Sequence, residues 1–150
     1  MDAHLDEAGA PQVRAILAEV QPDTVLTFGP DGMTGHQGHM DVCRWTTEAF
    51  AAEAKPGARL YYATQTPEFV AEVVPLVERF GIFRPGTPPV TPREELGIDF
   101  SADEELLDLK LASLTSHESQ IEGILEVFGA DGLRRFVRDE SFRDAGRKEG

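Results

Sequence analysis

Two short apolar segments separated by helical stripes constrain the fold of this 150-residue chain more than any other feature. Residues 24–28 contain Thr-Val-Leu-Thr-Phe between Pro22 and Gly29, and residues 59–63 form a similar run. Such runs are typical of buried strands. Apolar residues at helical spacing flank them over residues 10–20, 40–54 and 69–80. Helices that alternate with buried strands indicate an α/β domain with a mainly parallel sheet.

The number of strands is low for such a sheet. Residues 98–100 are a third, weaker candidate, and residues 104 to about 128 predict one long helix. Open sheets usually have about five or six strands. Either the sheet is small, or strands that belong to it are absent from this chain. Residues 134–150 are charged, with Phe136 and Phe142 as their only large apolar side chains, so we expect a frayed end.

The composition is acidic and argues against several classes of partner. The chain has 27 acidic and 14 basic residues, a net charge of −13. Proteins that bind nucleic acid need basic groups to neutralise phosphates, and anionic membranes repel an acidic surface in the same way. No apolar run approaches the roughly 18–20 residues of a membrane helix. The first 20 residues lack the pattern of a signal peptide, which predicts a cytoplasmic protein.

A pair of histidines offers the clearest chemistry, because the single cysteine, Cys43, excludes a cysteine-rich zinc site. His36 and His39 lie three residues apart, where a glycine-rich loop leaves the first predicted strand and enters a helix. Side chains at this spacing share a helix face. Ligands of open α/β sheets bind beyond the carboxyl ends of strands. Neutral imidazole is a good zinc ligand, and a second imidazole can stabilise an oxyanion.

The spacing of the two histidines is by itself a weak signal, because surface pairs of this kind arise by chance. Three motifs extend it into a resemblance to a known family. They are Thr27-Phe28-Gly29-Pro30-Asp31-Gly32-Met33-Thr34-Gly35-His36-Gln37-Gly38-His39, then Lys110 through Ala112 with His117-Glu118-Ser119-Gln120, and finally Glu140-Ser141-Phe142. They resemble the second signature, the lysine-containing helix and the C-terminal element of the PIG-L/LmbE-like zinc-dependent deacetylases. The resemblance implies a partial deacetylase domain over residues 1–142 and leaves residues 143–150 as a disordered tail.

This resemblance implies a Rossmann-like, mainly parallel sheet, incomplete at its N-terminal strands, that holds one catalytic zinc. The implied reaction is hydrolysis of the amide of an N-acetylglucosamine-type substrate, an N-acyl amino sugar, or of a sugar-thiol conjugate. His39 is then a zinc ligand, and His36 stabilises the oxyanion or protonates the leaving amine. Asp31, His117 and Gln120 are implied to bind substrate or to support the site.

Two departures from the family pattern bear on activity. Gly38 replaces a carboxylate that the family carries between the two histidines, and losing such a partner costs about 10–100-fold in affinity or activity. Asp31 and Asp41 are the nearby acids able to compensate. The family's first signature, AHPDDE, supplies two more zinc ligands and the general base, and this chain has no such strand. We therefore expect weak zinc affinity and no activity from the isolated chain, since a catalytic zinc normally has three protein ligands.

Several explanations of this incomplete ligand set stay open. His4 lies in a segment that imitates the missing signature, but no apolar strand precedes it, so we interpret the segment as the acidic start of the first helix. The start is truncated or misplaced, a second chain supplies the missing strands, or the chain is a degenerate remnant. Two other functions also stay open. One is a non-catalytic acidic module that binds a partner through an exposed sheet edge, and the other is a domain that binds an anion with the loop after residue 28.

Overall fold

The computed structural model describes residues 8–78 and 81–148, apart from the side chains at positions 77, 118–120, 122, 124 and 127, as an α/β fold. Its elements in chain order are α1 (Gly9–Val20), β1 (Thr24–Thr27), α2 (Gly32–Gly35), α3 (Gln37–Glu53), β2 (Arg59–Thr64), α4 (Pro67–Val77), β3 (Leu96–Ser101), α5 (Glu104–Thr115), α6 (Glu118–Arg138) and β4 (Asp139–Arg147). The α/β class is confirmed. None of the helices in these ranges is long and apolar enough to cross a bilayer.

The four strands form one open mixed sheet in the order β1-β2-β4-β3. β1 and β2 run parallel, with Val25 opposite Leu60, whereas β4 is antiparallel to both β2 and β3. Parallel pairing is therefore limited to β1 and β2, and the expectation of a mainly parallel sheet is corrected for β4. The reason is the entry of β4 directly from α6, which ends at the preceding residue. β4 begins at the edge of the sheet where β2 ends, so it must run antiparallel to β2.

The C-terminal segment is ordered, so the expectation of a disordered tail is wrong for residues 143–147. These residues belong to β4, and its backbone pairs on both sides. The charged residues of this segment resemble a solvent-exposed tail in the sequence, but in the structure they contact residues of the sheet. The Arg143 guanidinium lies 5.0 Å from the centroid of the Tyr62 ring, and the Asp144 carboxylate lies 3.7 Å from the Arg59 guanidinium. Residues 149 and 150 lie outside the described residues.

The long helix predicted from residue 104 is two helices, α5 and α6, which pack against each other. Ser116 and His117 separate them. Arg134 of α6 donates hydrogen bonds to Asp108 and Glu104 of α5 at 2.6 and 2.7 Å. The guanidiniums of Arg138 and Arg134 lower the pKa of the Glu104 carboxyl. Six polar residues between Leu114 and Ile121 accompany this break, and apolar residues at helical spacing resume after them.

The main hydrophobic cluster packs α3 against the sheet. Phe50 of α3 and Ala54, the residue after that helix, are buried with Leu60 of β2, and Val25 and Tyr62 pack against them. The aromatic and aliphatic area that leaves water here holds α3 in place along the strands. Since the histidine pair lies at the start of α3, this packing also fixes the direction in which the helix leaves the sheet edge.

One edge of the sheet remains open among the described residues, because β1 pairs there only with β2. Ile16, Val20 and Leu26, which we call the β1 edge surface, are 59%, 63% and 50% exposed. The hydroxyl oxygen of Thr27 is buried and has no hydrogen-bond partner within the described ranges. Unpaired backbone groups beside exposed apolar side chains form a template for a further strand.

Candidate functional site

The histidine loop, residues 28–39, crosses the carboxyl edge of the sheet. It leaves β1 after Thr27 and ends in the first turn of α3. A β-carbon placed on Gly29 would lie 3.6 Å from the carbonyl oxygen of Ala63, so the loop also passes close to the end of β2. This edge of a parallel strand pair is where open α/β sheets bind their ligands.

The imidazoles of His36 and His39 lie side by side at this edge. Their ring centroids are 5.5 Å apart, with the planes inclined by 64°. His36 precedes the first residue of α3, and its carbonyl accepts hydrogen bonds from the amides of His39 and Met40 at 3.1 and 3.3 Å. This turn of backbone sets the two side chains on the same side of the helix start.

The His39 ring is held by three residues of the loop. The Phe28 ring stacks on it with a centroid distance of 4.1 Å and an angle of 1° between the planes. Nδ1 of His39 lies 2.9 Å from the carbonyl oxygen of Gly32 and 3.2 Å from the Thr34 hydroxyl oxygen. A carbonyl oxygen can only accept hydrogen bonds. Nδ1 of His39 therefore carries a proton and donates a hydrogen bond to the Gly32 carbonyl oxygen. In the neutral imidazole Nε2 then keeps its lone pair, the arrangement found in metal-binding histidines.

Gly32 is the residue that brings the carbonyl to His39. Its φ of +69° is in the left-handed region, where side chains are strained. A β-carbon there would lie 3.2 Å from Cβ of His39 and 3.3 Å from the amide nitrogen of Met40. The loop thus closes tightly over the start of α3, and only glycine fits without displacement.

Gly32→Ala is therefore expected to lower the free energy of unfolding by more than the roughly 1–2 kcal/mol that a left-handed alanine costs. Gly86→Ala is the matched control, since Gly86 has a φ of +84° and nothing within 4 Å of an added β-carbon. Denaturant unfolding of both variants isolates the packing cost. NMR should show displaced His39 ring resonances in the first variant alone. Equal losses of stability, with unmoved His39 resonances, would contradict this account of the loop.

The acids nearest to the pair help to shape the loop. Asp31 accepts a hydrogen bond at 2.7 Å from the amide of Met33, which is itself in the left-handed region with a φ of 64°. Asp41 is buried on α3, and its carboxylate accepts a hydrogen bond at 3.3 Å from the side-chain amide of Gln37. Asp31 thus supports the backbone that carries the histidines.

The segment after α4 docks onto the same loop. The Arg84 amide donates a hydrogen bond to the Thr34 carbonyl at 3.1 Å, and a β-carbon on Gly35 would meet the Arg84 side chain at 2.8 Å. Thr91 donates its amide hydrogen to the Gln65 carbonyl at 2.9 Å, which ties this segment to the end of β2. The histidine loop is therefore braced from outside the sheet.

The structure does not bring His117 to the paired histidines. Ser101 of β3 pairs with Asp139, and Arg138 donates to Glu104 at 2.6 Å, so α5 starts and α6 ends at the carboxyl edge. Since α5 has 12 residues, the turn with the exposed His117 lies about 18 Å from that edge along the helix. The side chain of Gln120 lies outside the described residues, as does His4.

The donors present are too few to complete a metal site. Over the described ranges, no group of three or more His, Cys, Asp and Glu side chains is placed to hold a metal ion. Cys43 is buried, and this burial raises the pKa of its thiol, so it offers no thiolate. The described residues provide one oriented imidazole and a second one beside it, which is fewer donors than a catalytic zinc normally has.

Sequence reasoning identified the two histidines but missed the residues that orient them. Phe28 and Gly32 belong to the quoted motif, but the sequence assigns neither of them a part in orienting His39. Both roles depend on the loop folding back over α3, which no spacing rule encodes. The one available signal was the glycine itself, because a loop glycine often marks a position that needs a positive φ.

The chain is similar in sequence to two proteins of stated activity. It is 30% identical over 118 aligned residues to the 1D-myo-inositol 2-acetamido-2-deoxy-alpha-D-glucopyranoside deacetylase of Saccharomonospora viridis, covering 73% of this chain and 42% of the relative. It is 33% identical over 73 residues to the protein of the same name from Thermobifida fusca, covering 44% of this chain and 26% of the relative. The chain thus spans less than half the length of these relatives. No protein-family model matches it.

Proposed function

We propose that this chain contributes the histidine side of a zinc-dependent amide hydrolase site. Its substrates would be N-acetylated amino sugars or sugar-thiol conjugates, from which the site removes an acyl group. The observation that carries this proposal is the orientation of His39, whose Nδ1 is tied to the Gly32 carbonyl while Nε2 stays available beside His36. The names of the two relatives, deacetylases of an acetamido sugar, support the substrate class.

In this proposal His39 holds zinc through Nε2. The hydrogen bond from Nδ1 and the stack on Phe28 fix the ring before the metal arrives, which removes part of the entropy cost of binding. Bound zinc supplies a nucleophile by lowering the pKa of a coordinated water to about 7. We assign the other ligands, and the carboxylate that takes the proton of this water, to a partner segment.

His36 acts on the substrate in this proposal. It lies at the N-terminus of the 17-residue helix α3, where free amide groups and the helix dipole favour negative charge. Its imidazole stabilises the oxyanion of the tetrahedral intermediate or gives a proton to the leaving amine. Asp31 holds the loop, and His117 and Gln120 support the site in the assembled protein rather than in this chain alone.

The partner segment is expected to pair with β1. A strand added parallel to β1 would place its own carboxyl end beside the histidine loop, one strand spacing of about 4.8 Å away. It would also cover the β1 edge surface, where Leu26 is half exposed. The partner would be a second chain or a further segment with an apolar strand that ends in zinc ligands.

The test uses the isolated chain and follows zinc at the imidazoles by NMR. We expect weak binding that perturbs Nε2, not Nδ1, of His39, because the other ligands are missing. His39→Ala should abolish this binding, and His117→Ala, a change at an exposed residue, should leave it intact. Three results would overturn the assignment. They are binding of zinc at Nδ1 of His39, stoichiometric zinc that remains after dialysis, and zinc binding that the His39→Ala change does not weaken.

A further inference from the structure

A second concave site lies between α4 and α6, and none of its lining residues belongs to the histidine loop. This space, which we call the α4–α6 cavity, has a volume of 660 Å³ and is bounded by side chains of α4, α6 and the first residue of β4. Sites for small organic ligands usually have volumes of about 300–1,000 Å³. Neither His36 nor His39 lines it, so the proposed hydrolase site does not account for it.

The floor of the cavity is apolar and partly aromatic. Phe69 and Val73 of α4 line it and are 9% and 8% exposed, so they are firmly packed. Phe128 of α6 lines the opposite side, and its ring lies 4.7 Å from that of Phe136. The Phe136 ring in turn lies 5.8 Å from the Phe69 ring, which joins the two walls below the cavity. This floor suits a hydrocarbon or aromatic body.

The rim of the cavity carries excess negative charge. Its acids are Glu68, Glu72, Asp131 and Asp139, and its bases are Arg93, Arg135 and Arg138. Two of the three guanidiniums are already bonded to carboxylates that do not line the cavity. Arg93 bonds Asp99, and Arg138 bonds Glu104. Arg93 also interacts electrostatically with Glu68 and Asp139. Over the described residues the rim therefore has one carboxylate in excess, and part of its positive charge is shared with carboxylates outside the cavity.

We propose that the α4–α6 cavity binds a small organic cation with an apolar body, such as an aralkyl amine. Carboxylates form charge-assisted hydrogen bonds with an ammonium group, and the faces of aromatic rings attract cations. An anionic ligand would meet the same four carboxylates and the field of a chain whose net charge is −13. A neutral ligand would gain only the apolar floor.

The test compares three ligands that share a phenylethyl body and differ in charge: phenethylammonium, phenethyl alcohol and 3-phenylpropionate. Titration of the isotope-labelled full chain should shift resonances of Phe69, Val73 and Phe128. We expect the ammonium to bind about 10-fold or more tightly than the alcohol, because charge-assisted bonds are about twice as strong as neutral ones. The carboxylate should bind most weakly.

Glu72→Gln should weaken ammonium binding several-fold and leave alcohol binding unchanged. Glu105→Gln, which removes an exposed charge on α5 outside the cavity, should change neither. Equal affinities for the three ligands, tightest binding of the carboxylate, or shifts confined to other surfaces would overturn the proposal. The measurement involves neither zinc nor the histidines, so its failure leaves the proposed function untouched.

Discussion

Adding the part of the Saccharomonospora viridis deacetylase that the alignment leaves uncovered is expected to raise the zinc affinity of this chain by more than about 100-fold. A lost hydrogen-bond partner of a ligand already costs roughly 10–100-fold, and here whole ligands would be gained. The same mixture should release acetate from an N-acetylglucosamine-type substrate, whereas the chain alone should not. Zinc analysis after gel filtration and an acetate assay measure the two effects.

The control for this experiment is a charge placed on the β1 edge surface. Leu26→Asp should prevent a strand from adding to β1 and so abolish both effects, without touching the histidine loop. Leu109→Asp introduces the same charge at a leucine that is 63% exposed on α5, and it should have no effect. Zinc uptake that survives Leu26→Asp would show that the partner docks elsewhere. Pairing without hydrolysis would favour the non-catalytic interaction module.

Replacing His36 with alanine in the assembled protein is expected to lower kcat by about 10²–10³-fold and to leave the zinc content unchanged. Removal of one group that stabilises an oxyanion typically costs this much. His39→Ala should instead remove the zinc, because it deletes a ligand. Kinetics and metal analysis on both variants therefore separate the two roles. Loss of zinc in the His36 variant, with full occupancy in the His39 variant, would reverse the assignment.

The sequence predicted those helices and strands whose positions depend mainly on the burial of apolar side chains. β1, β2 and α3 lie within a few residues of their predicted positions, because apolar runs and helical stripes report burial directly. β4 was missed because Arg143 and Asp144 look like solvent-exposed residues until Tyr62 and Arg59 are placed beside them. Its direction was beyond prediction too, since the direction follows from the edge at which α6 ends.

The candidate site was predictable in its donors but not in their arrangement. Strand exit and spacing pointed to His36 and His39, and the resemblance of the surrounding motif to a known family was needed to single them out. The proton on Nδ1 of His39 depends on the Gly32 carbonyl, which reaches the ring only because the loop turns back with a positive φ. His117 differs, because the motif match suggested a supporting role at the site, whereas its described hydrogen bonds join it to Leu114 and Ile121 at the turn between α5 and α6.

The open edge of β1 also governs how the purified chain would behave in solution. At low ionic strength, copies that each carry a charge of −13 repel one another before their bare strands can meet. At about 0.15 M salt the Debye length falls to about 8 Å, and this long-range barrier is largely lost. The exposed edge of β1 can then pair with the same edge of another copy, so we expect the isolated chain to form oligomers or aggregates that increase with added salt.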